Sequence, residues 1–340
     1  MMDLEYFLQN FSNMSFNPYI VLNDNNPLNV EVDEKDLVIT DIHTPKAKEY
    51  LGKLQKDDFK KNEYTGYFIK ASKGTTHKIQ TCFLTSQKGF EQKVHNVIVL
   101  EEGAEVDIFT GCLSSLHVKD NKHTAVTEIF VGKNAKLTFN MIHSWGETSE
   151  VYPKTIADVE DGGTYISNYI VWDPVKKIVT SPLAILGKNA TSVMRSLVYM
   201  HNGTDLSVGG RIQLNEKGSS GEVLSNIVGE GGVMINETSI EANASKTKGH
   251  IECDALLLKD DIEFETVPRL KAKVKDTNLS HEASIGKISK DEIEFLMSKG
   301  FTEEKATEMI VNGFSNNSVN DMPDIVRDQF EKILEKGSSM

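Results

Sequence analysis

The strongest constraint on the fold is a turn that recurs every 26 to 31 residues through the middle of the chain. Each copy has an apolar residue, a polar turn with Gly or Asn, and then a small residue. Intervals from Gly103 to Asn134, Gly163 and Asn189 are 31, 29 and 26 residues. Strands that recur at such a period, with no helical pattern between them, are typical of stacked β coils that bury one another.

Short β-branched runs fill the spaces between these turns from about Gly66 to Leu270, as expected for strands. Clear examples are 97–100, 128–131, 137–140, 165–171 and 192–199. The alternative is a β-sandwich, whose strands pair through tight hairpins. Hairpin signals are scarce, because Asn-Gly occurs only at 202–203 and 312–313. The sequence therefore favours a mainly β chain folded as a right-handed parallel β-helix, over residues 61–288.

The N-terminal 60 residues have a different pattern, which predicts a small mixed α/β module. Helical spacing of apolar residues occurs at Asp3–Gln9 and Pro45–Lys56, with Pro at the start of the second segment. A short strand is predicted at 37–40.

Residues 289–340 predict three short amphipathic helices. A capping box at 289–292 starts the first, Gly313 is expected to end the second, and Pro323 starts the third. Such helices either cover the last coil or form a docking surface, and the pattern leaves both open.

Composition narrows the class of partner and the compartment. The net charge of −13 and the absence of basic runs interleaved with aromatics argue against nucleic acid. Three dispersed cysteines argue against a disulfide framework, and the N-terminus predicts neither a signal peptide nor a membrane span. We therefore expect a cytoplasmic protein.

One segment carries a candidate metal site. Cys253 is followed about 28 residues later by the pair His281 and Glu282. A thiolate, an imidazole and a carboxylate on neighbouring extended segments can bind a transition metal. On a strand, His281 and Glu282 would face opposite sides. A packed core cysteine is the alternative for Cys253, because the spacing lacks a local zinc-finger signature.

Three segments resemble the SufB/SufD family of iron–sulfur cluster assembly scaffolds: GHIECDALLL (249–258), LSHEASIGKI (279–288) and SKGFTEEKATEMIVNGF (298–314). A fainter similarity covers 109–145, with TGCLSS, HTAVTEIFV and MIHSW. The resemblance implies a β-helix followed by C-terminal helices. It does not extend to residues 1–60.

The resemblance also implies roles for individual residues. Cys253, His281 and Glu282 would bind a nascent, transient iron–sulfur cluster, expected to be 4Fe–4S, near a subunit interface. The presence of Glu282 resembles SufB rather than SufD, because the corresponding segment of SufD usually lacks this carboxylate. Cys112 would accept sulfur and pass it through the interior, with Lys154 along that route; a buried core cysteine is the alternative for Cys112. Cys82 is interpreted as core.

The implied partners are a SufC-type ABC ATPase and either a second copy of the chain or a SufD-like chain. The sulfur donor and the acceptor protein are not identified. The resemblance implies a scaffold rather than an enzyme. The chain has no phosphate-binding loop of its own, so ATP hydrolysis would have to come from the partner. The other possibilities are a SufD-like structural partner without a cluster, and a carbohydrate-active β-helix enzyme. The ATPase would dock on the second C-terminal helix, at Glu303, Glu304, Ala306, Met309, Ile310 and Phe314.

Overall fold

The computed structural model describes residues 18–337 except 30–31, 34, 56–58, 60–62, 115–117 and 321. The chain is mainly β and winds into a β-solenoid of about seven turns, followed by a helical segment. The parallel β-helix predicted from the turn spacing is confirmed. The helix predicted at Asp3–Gln9 lies outside the described residues. No helix in the described part of the chain is long and apolar enough to cross a membrane.

The solenoid consists of two sheets whose long strands pair in parallel. Sheet A contains, in spatial order, β2 (Asn26–Asn29), β1 (Tyr19–Asn23), β6 (Thr76–Thr85), β8 (Glu105–Ser114), β10 (Lys136–Ser144), β12 (Thr164–Val171), β15 (Thr191–Met200), β17 (Ser220–Gly229), β19 (Thr247–Leu257) and β21 (Thr277–Lys287). Sheet B contains β20 (Glu263–Ala272), β18 (Val233–Ala242), β16 (Asp205–Leu214), β13 (Lys177–Thr180), β11 (Glu150–Val159), β9 (Lys122–Val131), β7 (Glu91–Leu100), β5 (Tyr67–Ala71), β4 (Leu37–Asp41) and β3 (Val32–Asp33), with β14 (Leu183–Leu186) beside β11 and β16.

The strands before residue 60 continue these two sheets. β1 pairs in parallel with β6 of sheet A, whereas β3, β4 and β5 are joined by antiparallel pairs at one end of sheet B. The opposite end of both sheets is formed by β20 and β21, and we call this last turn the open end. The predicted strand at 37–40 is confirmed as β4.

The recurring turns stack on one another. The N–H of Gly103 donates to the Lys133 carbonyl at 2.8 Å, and the N–H of Asn134 donates to the Asp161 carbonyl at 3.0 Å. Gly103, Asn134, Gly162 and Asn189 all have φ between 55° and 69°. Gly and Asn adopt this left-handed conformation most readily, which explains why they mark the repeat.

Alternation along each strand separates an inner face, which looks toward the other sheet, from an outer face. The inner faces meet in one continuous apolar core that runs the length of the solenoid. The outer face of sheet A is covered by C-terminal helical residues, among them Val326 and Phe330, which pack on Phe109, Ile142 and Leu197. The C-terminal helices therefore lie along the side of the solenoid.

The helices are α1 (Pro45–Lys48), α2 (Lys290–Ser298), α3 (Glu303–Val319) and α4 (Asp324–Gly337). Ser289 is confirmed as the N-cap of α2, since its hydroxyl accepts from the Glu292 N–H. The predicted end at Gly313 is wrong, because α3 continues to Val319. Gly313 costs about 1 kcal/mol inside a helix. Burial of Ser315 and Val319 beyond it favours continuation.

The helix predicted at Pro45–Lys56 is also shorter than expected. Beyond α1 the chain turns so that the N–H groups of Gly52, Leu54 and Gln55 donate to the Glu128 carboxylate at 2.5–3.1 Å. Burial alone would raise the pKa of Glu128, but the His95 hydrogen bond and these N–H groups lower it below its usual value. This contact, 73 to 76 residues away in sequence, ends the helix early.

Candidate functional site

Cys253 lies on the inner face of β19 and is 1% exposed. The Asn236 amide nitrogen, on facing β18, donates to its sulfur at 3.3 Å. Burial raises the pKa of the Cys253 thiol, and the nearby Thr266 hydroxyl and Asn236 amide partly oppose this rise. Cys253 is therefore a protonated thiol, held by a polar partner inside the solenoid.

His281 lies on β21, the last strand of sheet A. Its register partner on β19 is Ile251, a core residue, so its side chain belongs to the same inner face as Cys253. Ala283, two positions further on, pairs with Cys253. This places the Cα atoms of residues 253 and 281 about 8 Å apart. In the described part of the chain no further coil follows in sheet A, and His281 is exposed at the open end.

Glu282 faces the outside of sheet A, beside Glu252 in the register. Burial, and then the carboxylates of Glu252 and Glu282, raise the pKa of the neighbouring Asp254 carboxyl. The predicted opposition of His281 and Glu282 is confirmed by their strand placement. The fold thus brings Cys253 and His281 to one face and leaves Glu282 on the other. Among the described residues no three metal-ligating side chains form a ready site.

Cys112 lies on the inner face of β8, deep in the same core. Burial raises the pKa of its thiol well above the usual value. Cys82, on neighbouring β6, faces outward beneath the C-terminal helices, in keeping with its interpretation as core. Lys154 is exposed on the outer face of β11, between Pro153 and Thr155, which point inward. The Lys154 ammonium therefore does not line the interior.

Two buried histidines, His143 beside Cys112 and His123 with its ring 5.0 Å from that of Trp145, were missed by sequence reasoning. His143 pairs with Cys112 in the register, so the two side chains are neighbours on one face. The Trp145 indole donates to His143 Nδ1 at 2.7 Å, which leaves the ring proton on Nε2, where no partner is found among the described residues. His123 Nδ1 donates to the Gln92 side-chain oxygen, Oε1, at 2.8 Å. Burial lowers the pKa of each histidine to about 3.

A small cavity, lined mostly by apolar side chains together with several hydroxyls, lies between Cys112 and Cys253. Its volume is about 30 Å³, and its lining includes Tyr169, Ser196 and Ser225. The hydroxyls of Tyr165 and Tyr169 are buried without a partner in the described structure. The cavity has room for a water molecule or two, which these hydroxyls could hydrogen-bond. Only the MIHSW segment, which contains His143, gave any signal for this region in the sequence.

The predicted docking residues of α3 are not equally accessible. Glu303, Glu304 and Met309 are exposed, Ile310 and Phe314 are half-buried, and Ala306 is buried. Three further large apolar residues are exposed on α2 and in the turn after it: Phe295, Met297 and Phe301. Exposed apolar side chains grouped in one region mark an interaction surface.

The fold and these side chains define a β-solenoid protein with thiols, imidazoles and hydroxyls along its interior. Residues 83–314 match the family model described as SUF system FeS cluster assembly, SufBD core domain. An iron–sulfur cluster assembly SufBD family protein of Archaeoglobus fulgidus is 37% identical over 300 residues, which cover 85% of this chain and 80% of that protein. The chain therefore belongs to the SufBD family of iron–sulfur cluster assembly proteins, and the resemblance is confirmed.

Two further relatives carry the same family description. That of Methanothermobacter thermautotrophicus (strain Winter) is 36% identical over 277 residues, covering 80% of this chain and 68% of that protein. That of Methanocaldococcus jannaschii is 28% identical over 304 residues, which cover 87% of this chain and 89% of that protein. Membership in an assembly family favours a role in handling iron–sulfur clusters over a carbohydrate-active enzyme.

Proposed function

We propose that this chain is a scaffold, not an enzyme, on which a transient 4Fe–4S cluster is assembled and released, with Cys253 and His281 among its ligands. The observation that carries the proposal is their shared inner face at the open end. A thiolate and an imidazole hold iron less tightly than four thiolates would, which suits release of the product. Glu282, on the opposite face of β21, would join as a ligand only after that strand moves.

Cys253 must be uncovered before it binds iron. Within one chain it is screened by Ala283 of β21 and by Thr266 of β20. Both strands are the last of their sheets, so their outer edges offer backbone hydrogen bonds to another chain. Ile285 and Leu270 on these strands are 49% and 37% exposed. We propose that a second copy, or a SufD-like chain, pairs there and that displacement of the last turn opens the site.

Cys112 is the proposed entry point for sulfur. Transfer from a persulfide donor, R–S–SH, gives Cys112–S–SH and R–SH, and transfer onward to Cys253 regenerates the Cys112 thiol. Both steps balance without an added oxidant or reductant. A persulfide on Cys112 would be an acceptor for the Nε2–H of His143, which has no other partner among the described residues. Lys154, exposed outside, has no place on this route.

Polar groups lead from Cys112 toward Cys253, across five strand-to-strand steps or about 24 Å. The His143 ring lies 4.7 Å from that of Tyr169, which lines the cavity with Ser196 and Ser225. The Ser225 hydroxyl donates to the Asn236 side-chain oxygen at 3.5 Å, and Asn236 donates to Cys253.

The sulfur route is tested by mass spectrometry of persulfides after exposure to a low-molecular-weight persulfide. We expect label at Cys112 and Cys253 in the wild type, and none at Cys253 in Cys112→Ser. Cys82→Ser is the matched control, since Cys82 lies on the adjacent strand but on the outer face. Full labelling of Cys253 in Cys112→Ser would reject the route.

The exposed apolar residues of α2 and α3 are the proposed docking surface for a SufC-type ABC ATPase. ATP-driven association of two ATPase subunits would then rotate two scaffold chains relative to each other. The binding energy of the ATPase shifts the equilibrium between the closed and opened states of the scaffold only by as much as it differs between those two states. Because α3 packs on β15 and β17, movement of this helix would displace strands of sheet A.

A second candidate is a SufD-like structural partner that never holds a cluster. The absence of a ready three-ligand group among the described residues favours it. Anaerobic reconstitution with ferrous iron and sulfide separates the two functions. A scaffold develops charge-transfer absorption that is lost in Cys253→Ser and kept in Cys82→Ser, whereas a structural partner develops none.

A further inference from the structure

A groove of about 770 Å³ lies between α3 and the ends of strands in sheet A. Its floor is aromatic: the rings of Trp172 and Tyr199 meet edge to face at 4.9 Å, and His201 lies 4.5 Å from Tyr199. Trp172 is supported from behind by Phe330 of α4 at 4.8 Å. The floor is therefore fixed by packing, while its upper surface faces the groove.

The walls of the groove are acidic. Four carboxylates line it, from Glu230, Glu303, Glu304 and Glu308, against one lysine, Lys259. Lys259 pairs with Glu230 at 2.8 Å, and Lys305 pairs with Glu308 at 2.8 Å.

The first turn of α3 supplies the remaining charge. Glu303 and Glu304 are exposed, and neither forms an ion pair within the described part of the chain. An aromatic floor under an excess of carboxylates favours a cation.

We propose that this groove takes an arginine-bearing segment of the ATPase that docks on α3. A guanidinium stacks on aromatic rings and pairs bidentately with carboxylates, which an ammonium does less well. The volume exceeds one side chain and admits a loop or helix end. The groove shares α3 with the exposed Met309, so one partner can contact both. This inference rests on the proposed ATPase docking.

The test is calorimetric titration of the full chain with its own SufC-type ATPase, at low and at high salt concentration. Glu303→Gln/Glu304→Gln removes both charges and keeps the side-chain shape. We expect its affinity to fall about tenfold at low salt, with a weaker dependence on salt, because screened charge pairs are lost. Glu147→Gln/Glu216→Gln changes the same charge at exposed turns and should bind like the wild type.

Met309→Asp separates the two proposals. Loss of binding in Met309→Asp with wild-type affinity and salt dependence in Glu303→Gln/Glu304→Gln would overturn the groove and keep the docking surface. The reverse pattern would support the groove and reject the apolar surface. Wild-type binding by both variants, or no binding by the wild type, would overturn both. A change in self-association of the double variant, seen by sedimentation, would assign the groove to a second copy and also overturn the proposal.

Discussion

Acidification should destabilise this solenoid through two buried histidines, His123 and His143. Burial holds the pKa of His123 and of His143 at about 3, against about 6.5 in an unfolded chain. Between these values the unfolded state binds protons that the folded state excludes. The stability contributed by the neutral rings is therefore complete above pH 6.5 and falls as the pH is lowered toward 3.

The magnitude follows from this difference in pKa. At pH 5 the free energy of unfolding should be lower than at neutral pH by about 2 kcal/mol for each histidine, and by about 4 kcal/mol for the pair. A loss of this size is a large part of the stability of a typical folded protein. It arises in a window where most carboxylates are still ionised.

Urea unfolding at pH 7 and pH 5 measures the effect. His143→Gln keeps an acceptor for the Trp145 indole and should reduce the loss by about 2 kcal/mol, as should His123→Gln. His281→Gln, on an exposed ring, is the matched control and should leave the loss unchanged. If the wild type and both buried variants lost the same stability between the two pH values, the histidines would not be neutral and buried as described.

Four other substitutions test the fold and the docking surface. Glu128→Gln should cost about 2–3 kcal/mol in urea unfolding, because buried charge-assisted hydrogen bonds are lost; less than about 0.5 kcal/mol would contradict this role. Gly209→Ala should cost more than about 3 kcal/mol, since its Cβ would lie 1.8 Å from the Glu237 carbonyl oxygen. Gly313→Ala should gain about 1 kcal/mol, since its Cβ would meet no described atom within 4 Å other than the nearby backbone of its own helix. Equal melting temperatures for this pair would refute the steric argument. Met309→Asp should abolish co-purification with a SufC-type ATPase, and an unchanged yield would count against docking at α3.

Much of the solenoid was predictable because its signal is local and repeated. Residues such as Asn134 and Asn189 mark turns that need a left-handed backbone, and each turn reappears after one coil. A repeat of this kind fixes strand order and register together. The lengths of α1 and α3 were less predictable. Hydrogen bonds to the distant Glu128 carboxylate end α1 after Lys48. Burial of residues after Gly313 stabilises the continuation of α3 beyond a glycine, a residue that usually ends a helix.

The candidate site was predictable in part. Alternation along a strand was enough to place His281 and Glu282 on opposite faces. That His281 shares its face with Cys253 depends on the register between β19 and β21, which no local pattern gives. Two further features depend on which residues of sheet B point inward. Lys154 points outward and is exposed, whereas Asn236 points inward and contacts Cys253 across the interior. His143 and Trp145 lie in the MIHSW segment, which resembles the family in sequence. Only the structure shows that their side chains are hydrogen-bonded to each other.

The most direct test of the central claim is to detect the ligands themselves. The protein, labelled with nitrogen-15 in its histidines, would be reconstituted anaerobically with iron and sulfide, reduced to a paramagnetic state, and measured by pulsed electron paramagnetic resonance. We predict a nitrogen hyperfine coupling to the cluster that disappears in His281→Ala, and no cluster in Cys253→Ser. A cluster that forms in Cys253→Ser, or a nitrogen coupling that persists in His281→Ala, would contradict the account.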